Sequence, residues 1–465
     1  MGLVIPALVA YMLLQVAVGA WASRFVKTES DYLVAGRSLG LPLVAMSVFA
    51  TWFGAETVIG SSAAVSAEGL AGGRADPFGY ALCLLGMGLF LAYQLRVRNY
   101  VTIGDLFRDR FSRATEIAGS LLFIPSLVTW GAAQLLAFAY IITTLTGMGL
   151  FHALPLVTGL VILYTWMGGL LGDVVTDFIQ GMVLILGLII LCGTVIAAAG
   201  GIDVAVSSIT ADQLRFVAPD ESLLARLDIW SVPVLGSLVS QAALARLLAA
   251  RTPGIARNGA FLGFGLYITV GLVPVFIALT ATHLGLDLAG GDRFLPALAE
   301  TLLPAPLFVI FMGALVSAIL STIDSTFLTI SALISHNVVT PAFPRLTERR
   351  KVTIARLVLL ATGVTALAIA MAQAANSRSI IDILLLADSL GTSGLLVTVL
   401  IGLYTTRFGG PAAALTAFAL GVLGYPVATG LLGFEAPYLF SLASALAGYL
   451  TVALWPRRRP ADRSV

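Results

Sequence analysis

The chain has 465 residues, of which 59% are hydrophobic and 11% charged, with a formal net charge of +2 and a mean hydropathy of +0.99. Soluble domains carry roughly 25% charged residues, so this composition excludes an ordinary soluble enzyme or binding module and describes a polytopic helical membrane protein. Two cysteines (Cys83, Cys192) within apolar runs and three scattered histidines (His152, His283, His336) exclude a disulfide framework and a Cys/His metal motif.

Apolar stretches of the ~20 residues needed to cross a bilayer start with 2–22, which follows no basic segment and reads as a retained first helix. The second, 41–67, is interrupted by Ala50-Thr51-Trp52-Phe53-Gly54-Ala55-Glu56. Gly54 weakens a helix, and an unwound turn there exposes the carbonyls of Ala50 and Phe53 to an ion, as in broken transporter helices. The competing reading is a kinked, continuous helix with Glu56 facing a watery vestibule. A carboxylate at mid-span is costly without a partner, so Glu56 is a candidate contact for a cationic substrate group, a coupling ion or a proton.

Spans at 77–97 and 115–146 follow, the latter with Trp130 and Gln134, then 150–167 and 174–199. Thr176 and Asp177 open the sixth span. An acid or hydroxyl in a first turn is normally a cap, and Thr176 is read as one; for Asp177 a place on the ion exit path weighs equally. The seventh span, 229–250, holds Ser240 and Gln241. With Trp130 and Gln134 these either line a substrate cavity or bond helix to helix. Arg246 and Arg251 are read as interfacial anchors.

After 258–284, the ninth span (304–336) carries Ser317-Ala318-Ile319-Leu320-Ser321-Thr322-Ile323-Asp324-Ser325. Ala318, Ser321 and Thr322 share one helix face. Their two hydroxyls, with an Ala318 carbonyl freed by local unwinding, form a hard-oxygen cage for a small alkali cation, strengthened by Asp324. The plainer alternative is back-bonding of hydroxyls to carbonyls one turn earlier. Spans at 352–373, 379–406, 410–432 and 436–455 complete a set of thirteen. In 379–406, Asp388 with Ser389, Thr392 and Ser393 is a third polar cluster, counted with the candidate substrate contacts.

Thirteen spans put the termini on opposite sides. With the C-terminus cytoplasmic, 21 of the 26 Lys and Arg fall in inside segments (23–40, 96–113, 246–257, 345–356, Arg407 and the tail from Arg457). Only Arg74, Arg215, Arg226, Arg293 and Arg378 fall outside, as the positive-inside rule requires. No linker, low-complexity tract or soluble domain interrupts the spans.

Ordered signatures along nearly the whole length resemble the sodium:solute symporter family. They are Ala35-Gly36-Arg37-Ser38-Leu39-Gly40 leading into Ala50–Gly54, Pro77-Phe78-Gly79-Tyr80-Ala81-Leu82, Gly168-Gly169 followed by Thr176-Asp177 and Gln180, and Ser321-Thr322-Ile323-Asp324-Ser325. The resemblance implies a LeuT-like, all-α membrane fold with two inverted five-helix repeats, 41–200 and 229–406, after an extra helix and loop (1–40) and before two extra helices (410–455). It implies a sodium site from the carbonyls of Ala50, Phe53 and Ala318 and the hydroxyls of Ser321 and Thr322, with Asp177 near the ion's inward exit. Ala50–Gly54 and Pro77–Leu82 are most similar to the choline-transporter branch. There are two departures. Glu56 replaces a small residue, and Ala242 and Ala243 stand where an aromatic cavity partner follows Gln241. Trp52, Trp130 and Tyr80 are then the rings available for a cation cage.

The expectation is therefore a symporter that brings a small organic solute into the cell with sodium as coupling ion. Proton coupling through Glu56 or Asp324 is one alternative, and a transporter-like sensor signalling to a partner is another; the few residues (456–465) after the last span count against the sensor. With no nucleophile, transition-metal motif or phosphate loop, no enzyme is expected. The expected partners are the solute, sodium and the lipid bilayer of the cell membrane, with neither nucleic acid nor an obligate protein partner.

Overall fold

The computed structural model describes residues 4–286, 290–375 and 392–455. Among them the chain is helical without a strand; the one isolated bridge pairs Leu39 with Ala250. Among the described residues eight helices are long and apolar enough to cross a bilayer, or up to ten if each of two bent pairs is one span. Val9–Ser23 and Thr392–Tyr404 are shorter apolar helices. Asp388 and Ser389 lie outside the described residues.

Leu150–Ala198 holds 49 residues, about 74 Å at 1.5 Å per residue, far more than one ~30 Å hydrocarbon layer. Its break is at Gly169, with φ 54° and ψ −158°, which divides the predicted spans 150–167 and 174–199. Only glycine fits there, because a Cβ would sit 2.6 Å from the Tyr32 ring and 2.7 Å from the Tyr32 carbonyl oxygen.

Ala305–Ala332 is the central helix, packed chiefly against Leu150–Ala198 and Arg113–Thr146. Every residue from Ala314 to Ala332 is buried, so its hydroxyls and acid face protein and not lipid. Ser317, Ser325 and Thr326 return their hydroxyls to the carbonyls of Gly313, Ser321 and Thr322. The helix stays continuous through Ser317–Ser325; no unwound turn frees the Ala318 carbonyl, contrary to the expectation.

Two other spans do break. Leu41–Trp52 and Glu56–Ala71 meet at 59°, and Leu223–Val239 and Gln241–Leu248 at 42°. Irregular backbone at membrane depth is tolerated only where protein satisfies the freed groups. At the first break the Trp52 carbonyl accepts from Tyr267 Oη at 3.1 Å, and the Ala55 N–H donates to Gln134 Oε1 at 3.2 Å. The second break, at Ser240 (φ −55°, ψ 112°), was not anticipated, although Pro233, Gly236 and the polar Ser240-Gln241 pair lie around it.

Candidate functional site

Ser321 and Thr322 face the first break. Ser321 Oγ lies 2.8 Å from the Ala50 carbonyl oxygen and 2.9 Å from that of Ala318. Thr322 Oγ1 lies 3.0 Å from the Thr51 carbonyl oxygen and 3.2 Å from that of Ala318. Three carbonyls and two hydroxyls thus converge from elements 271 residues apart, all uncharged hard-oxygen donors of the kind that hold alkali and alkaline-earth cations. The same hydroxyls reach both the carbonyl one turn earlier and the carbonyls across the interface. Phe53, whose carbonyl is also expected at the site, sits at the break itself (φ −85°, ψ 65°), and Thr322 meets the carbonyl of Thr51.

Below this cage lies a fully buried cluster. Carboxylate oxygens of Asp173, Asp177 and Asp324 come within 4.8 Å of one another. The Arg246 guanidinium bonds to Asp173 and to Ser325, and stands 3.7 Å from Asp177. Ser47 donates to Asp177 at 2.5 Å, and the Ser325 N–H donates to Asp324 at 2.8 Å. Ser325 links the two centres, since its hydroxyl also reaches the Ser321 carbonyl at 2.5 Å. Asp177 Oδ1 is buried without a hydrogen-bond partner among the described residues.

Three expectations are corrected here. Arg246 is 0% exposed; it is an internal counter-ion and not an interfacial anchor, because three carboxylates attract it inward. Asp177, also 0% exposed, lies about two turns past the Gly169 break, inside the bundle and not at its mouth. Thr176 caps nothing, since the helix runs on before it and its hydroxyl returns to Gly172 and Asp173. Arg251, which bonds the Ser38 carbonyl from an exposed position, keeps its place at the periphery.

A cavity opens beside the cage. Its lining includes Thr51, Trp52, Glu56, Tyr80, Trp130, Ser240, Gln241 and Thr322. Of the predicted substrate contacts, Gln134 stands behind this lining: its Nε2 donates to Glu56 Oε2 at 2.5 Å. Gln241 lines the cavity while its Oε1 accepts the Ile103 N–H at 2.7 Å, so it also ties the second break to the Ile103–Arg110 helix. The Trp52 and Tyr80 rings are 5.8 Å apart at 54°, and Tyr80 and Trp130 are 6.4 Å apart at 84°. A third polar knot joins Thr57, Asp76 and Tyr267, with Thr57 donating to Asp76 at 2.6 Å and Tyr267 at 3.1 Å.

Asp173 and Arg246 were missed as site residues. Asp173 is four positions before Asp177 on one helix, hence on the same face, and a charge within an apolar span such as Arg246 is itself a signal of function.

Residues 32–421 match the sodium:solute symporter family. The High-affinity choline transporter 1 of Drosophila melanogaster is 28% identical over 386 residues, which are 79% of this chain and 62% of that protein, so the chain spans less than two thirds of that relative. The Sodium/pantothenate symporter of Haemophilus influenzae is 27% identical, over 76% of this chain and 75% of its own. Among solved structures, a Na+-coupled sialic acid symporter in a substrate-bound, outward-open state superimposes with a TM-score of 0.84 at 18% identity, covering 97% of this chain and 98% of that one. Mhp1, a nucleobase-cation-symport-1 family transporter, gives 0.63 at 16% identity, with 92% and 95% covered. These likenesses are of fold.

Proposed function

Since the chain belongs to the sodium:solute symporter family, we propose that it is a secondary active transporter carrying a small organic solute into the cell together with sodium. Family members are transporters and not enzymes, which accords with a protein that moves its substrate unchanged. Sodium sits between the carbonyls of Ala50, Thr51 and Ala318 and the hydroxyls of Ser321 and Thr322. Asp177 lies on the ion's way out and acts on the ion, not on solute choice. The solute occupies the neighbouring cavity, where Trp52, Glu56, Trp130, Ser240 and Gln241 reach it. Thirteen spans with an outside N-terminus and a cytoplasmic C-terminus complete the reading, and each of the two breaks falls in the first helix of one five-helix repeat (41–200 and 229–406).

The single observation that carries it is the convergence of the Ser321 and Thr322 hydroxyls on the carbonyls at the first break. A cation held there bridges the broken helix and the central helix, so its arrival and departure change how the two pack. One cation entering down 100 mV releases about 2.3 kcal/mol, enough to concentrate a neutral solute roughly fiftyfold at equilibrium. The test is thermal unfolding of the purified protein in sodium chloride against potassium chloride. Sodium is expected to raise Tm selectively, and Ser321→Ala or Thr322→Ala to raise the half-maximal sodium concentration about tenfold, the loss of about 1.4 kcal/mol expected for one ligand to a cation. An unchanged sodium response in both variants removes the assignment.

Proton coupling has one observation in its favour. Three carboxylates share a single guanidinium at the Asp173, Asp177 and Asp324 cluster, so a proton can offset the excess charge. Solute uptake driven by a pH gradient in the absence of sodium would establish that reading instead.

A further inference from the structure

We propose that the knot of Thr57, Asp76 and Tyr267, with the Trp52 carbonyl, is a second cation site and takes a sodium ion. Its part in coupling rests on the transporter reading above. Its existence rests on oxygens that the Ser321 and Thr322 cage does not use.

Five oxygens meet in the knot: the Trp52 carbonyl, the two hydroxyls and both carboxylate oxygens of Asp76. Thr57 Oγ1 lies 2.6 Å from Asp76 Oδ2, 2.8 Å from Tyr267 Oη and 3.4 Å from the Trp52 oxygen. Tyr267 Oη lies 3.1 Å from Asp76 Oδ1 and 3.1 Å from the Trp52 oxygen. Each hydroxyl carries one hydrogen, so two hydrogens serve five oxygen–oxygen contacts. The other contacts set lone pair against lone pair, at a place closed to water where unanswered polar groups are costly. A positive charge drawing on all five oxygens removes that conflict. Carbonyl, hydroxyl and carboxylate donors suit a hard metal cation, and the one carboxylate of the knot balances a single charge.

The surroundings hold these oxygens in place. Thr57, Asp76 and Tyr267 are all buried. Asp76 has extended backbone (φ −137°, ψ 125°), and its carbonyl accepts from Ser61 Oγ at 2.5 Å. Gly271, one turn after Tyr267, lets Pro77 approach so closely that a Cβ there would clash with the proline ring. The rings of Phe49 and Phe53 pack on Tyr267 at 6.4 and 5.3 Å, which keeps that flank apolar. Among the described residues the Asp76 carboxylate has no ion-pair partner. Arg74, two positions away, is engaged by Glu221 at 2.5 Å and by the Ala71 carbonyl at 2.6 Å.

The position gives the site its consequence. Ala50 and Thr51 turn their carbonyls to the central helix, whereas the next carbonyl, that of Trp52, turns to Tyr267 on Pro253–Ala281. Two ions at one break would tie the broken helix to two different helices. Each then favours the packing that the other needs, so sodium acts cooperatively.

The test uses the full chain in lipid nanodiscs. Radiolabelled sodium is counted at saturation, and Tm is followed in sodium chloride against potassium chloride at equal ionic strength. The parent is expected to bind two sodium ions, with a sodium dependence steeper than that of a single site. Asp76→Asn keeps the shape, removes the charge and brings two hydrogens to the crowded contacts. It is expected to lose one of the two ions while its Tm in potassium chloride stays at or above the parent's. A merely structural Asp76 would give the reverse, a lower Tm in both salts with both ions retained. Tyr267→Phe removes one oxygen and should weaken one of the two ions about tenfold. The proposal is overturned if Asp76→Asn still binds as much sodium as the parent. It is overturned too if the parent binds one ion and its Tm in potassium chloride varies with pH in a way that Asp76→Asn abolishes, since the knot then holds a proton. Should Asp76→Asn not fold, Tyr267→Phe decides. One sodium that Ser321→Ala and Thr322→Ala weaken and Asp76→Asn leaves alone sinks this inference and spares the cage. One sodium with the opposite dependence keeps this site and sinks the cage. A parent that binds no sodium sinks both.

Discussion

Two sets of acids are buried between the helices, and they are compensated in different ways. Asp173, Asp177 and Asp324 surround a resident guanidinium from Arg246, itself 0% exposed, in a packed junction of three helices. Glu56 is steadied by the Gln134 amide and lines a cavity. A carboxylate answered by an internal counter-ion holds helices together, whereas one held by an amide at a cavity wall gives that wall its polar character. The hydroxyl cage of Ser321 and Thr322 lies between the two and is joined to the first through Ser325.

Breaking the internal pair is the largest expected effect. Arg246→Met strands Asp173 beside two further carboxylates, and removing one partner of a buried pair costs about 3–5 kcal/mol. Purified yield and Tm should fall sharply, and Asp173→Leu combined with Arg246→Met should recover most of the loss. If the single variant is as stable as the parent, Arg246 is not the counter-ion that holds the junction.

Gly54→Ala probes the space between the two regions. Its Cβ would lie 2.7 Å from both Glu56 Oε2 and Thr322 Oγ1, so acid and cage must both shift. The half-maximal sodium concentration should rise at least tenfold, about 1.4 kcal/mol, and solute uptake should fall with it. Loss of one response with full retention of the other would show that the cage and the cavity are separate.

The smallest effect is expected at Asp177. Asp177→Asn keeps the bond from Ser47 while removing one charge of three that share a guanidinium, so the sodium response should weaken a few-fold, under about 1 kcal/mol. The ranking of solutes should not change. A changed ranking at constant sodium response would move Asp177 from the ion's path to the solute's.

Much of this was legible along the chain because burial in a bilayer is recorded locally. A run of apolar residues near 20 is a span whatever its neighbours are, and Gly54 beside Glu56 marks a weak, polar turn without reference to any other helix. Ala318, Ser321 and Thr322 share a face by helical period alone. The sequence also carried family membership, since its motifs lie in order on successive spans.

Other features depended on contacts across the fold. That Ser321 meets Ala50 and Thr322 meets Thr51 follows from where the first helix breaks relative to the central one. The continuity of Ala305–Ala332 through its polar stretch follows from hydroxyls that satisfy their own helix. Arg246 and Asp173 lie 73 residues apart, and although a charge inside a span is a signal, the sequence does not say which group answers it. Only packing decides whether such a cation reaches water or turns inward, because the energy of a charge in a membrane is set by the charges and dipoles within a few ångströms of it, and these come from other helices.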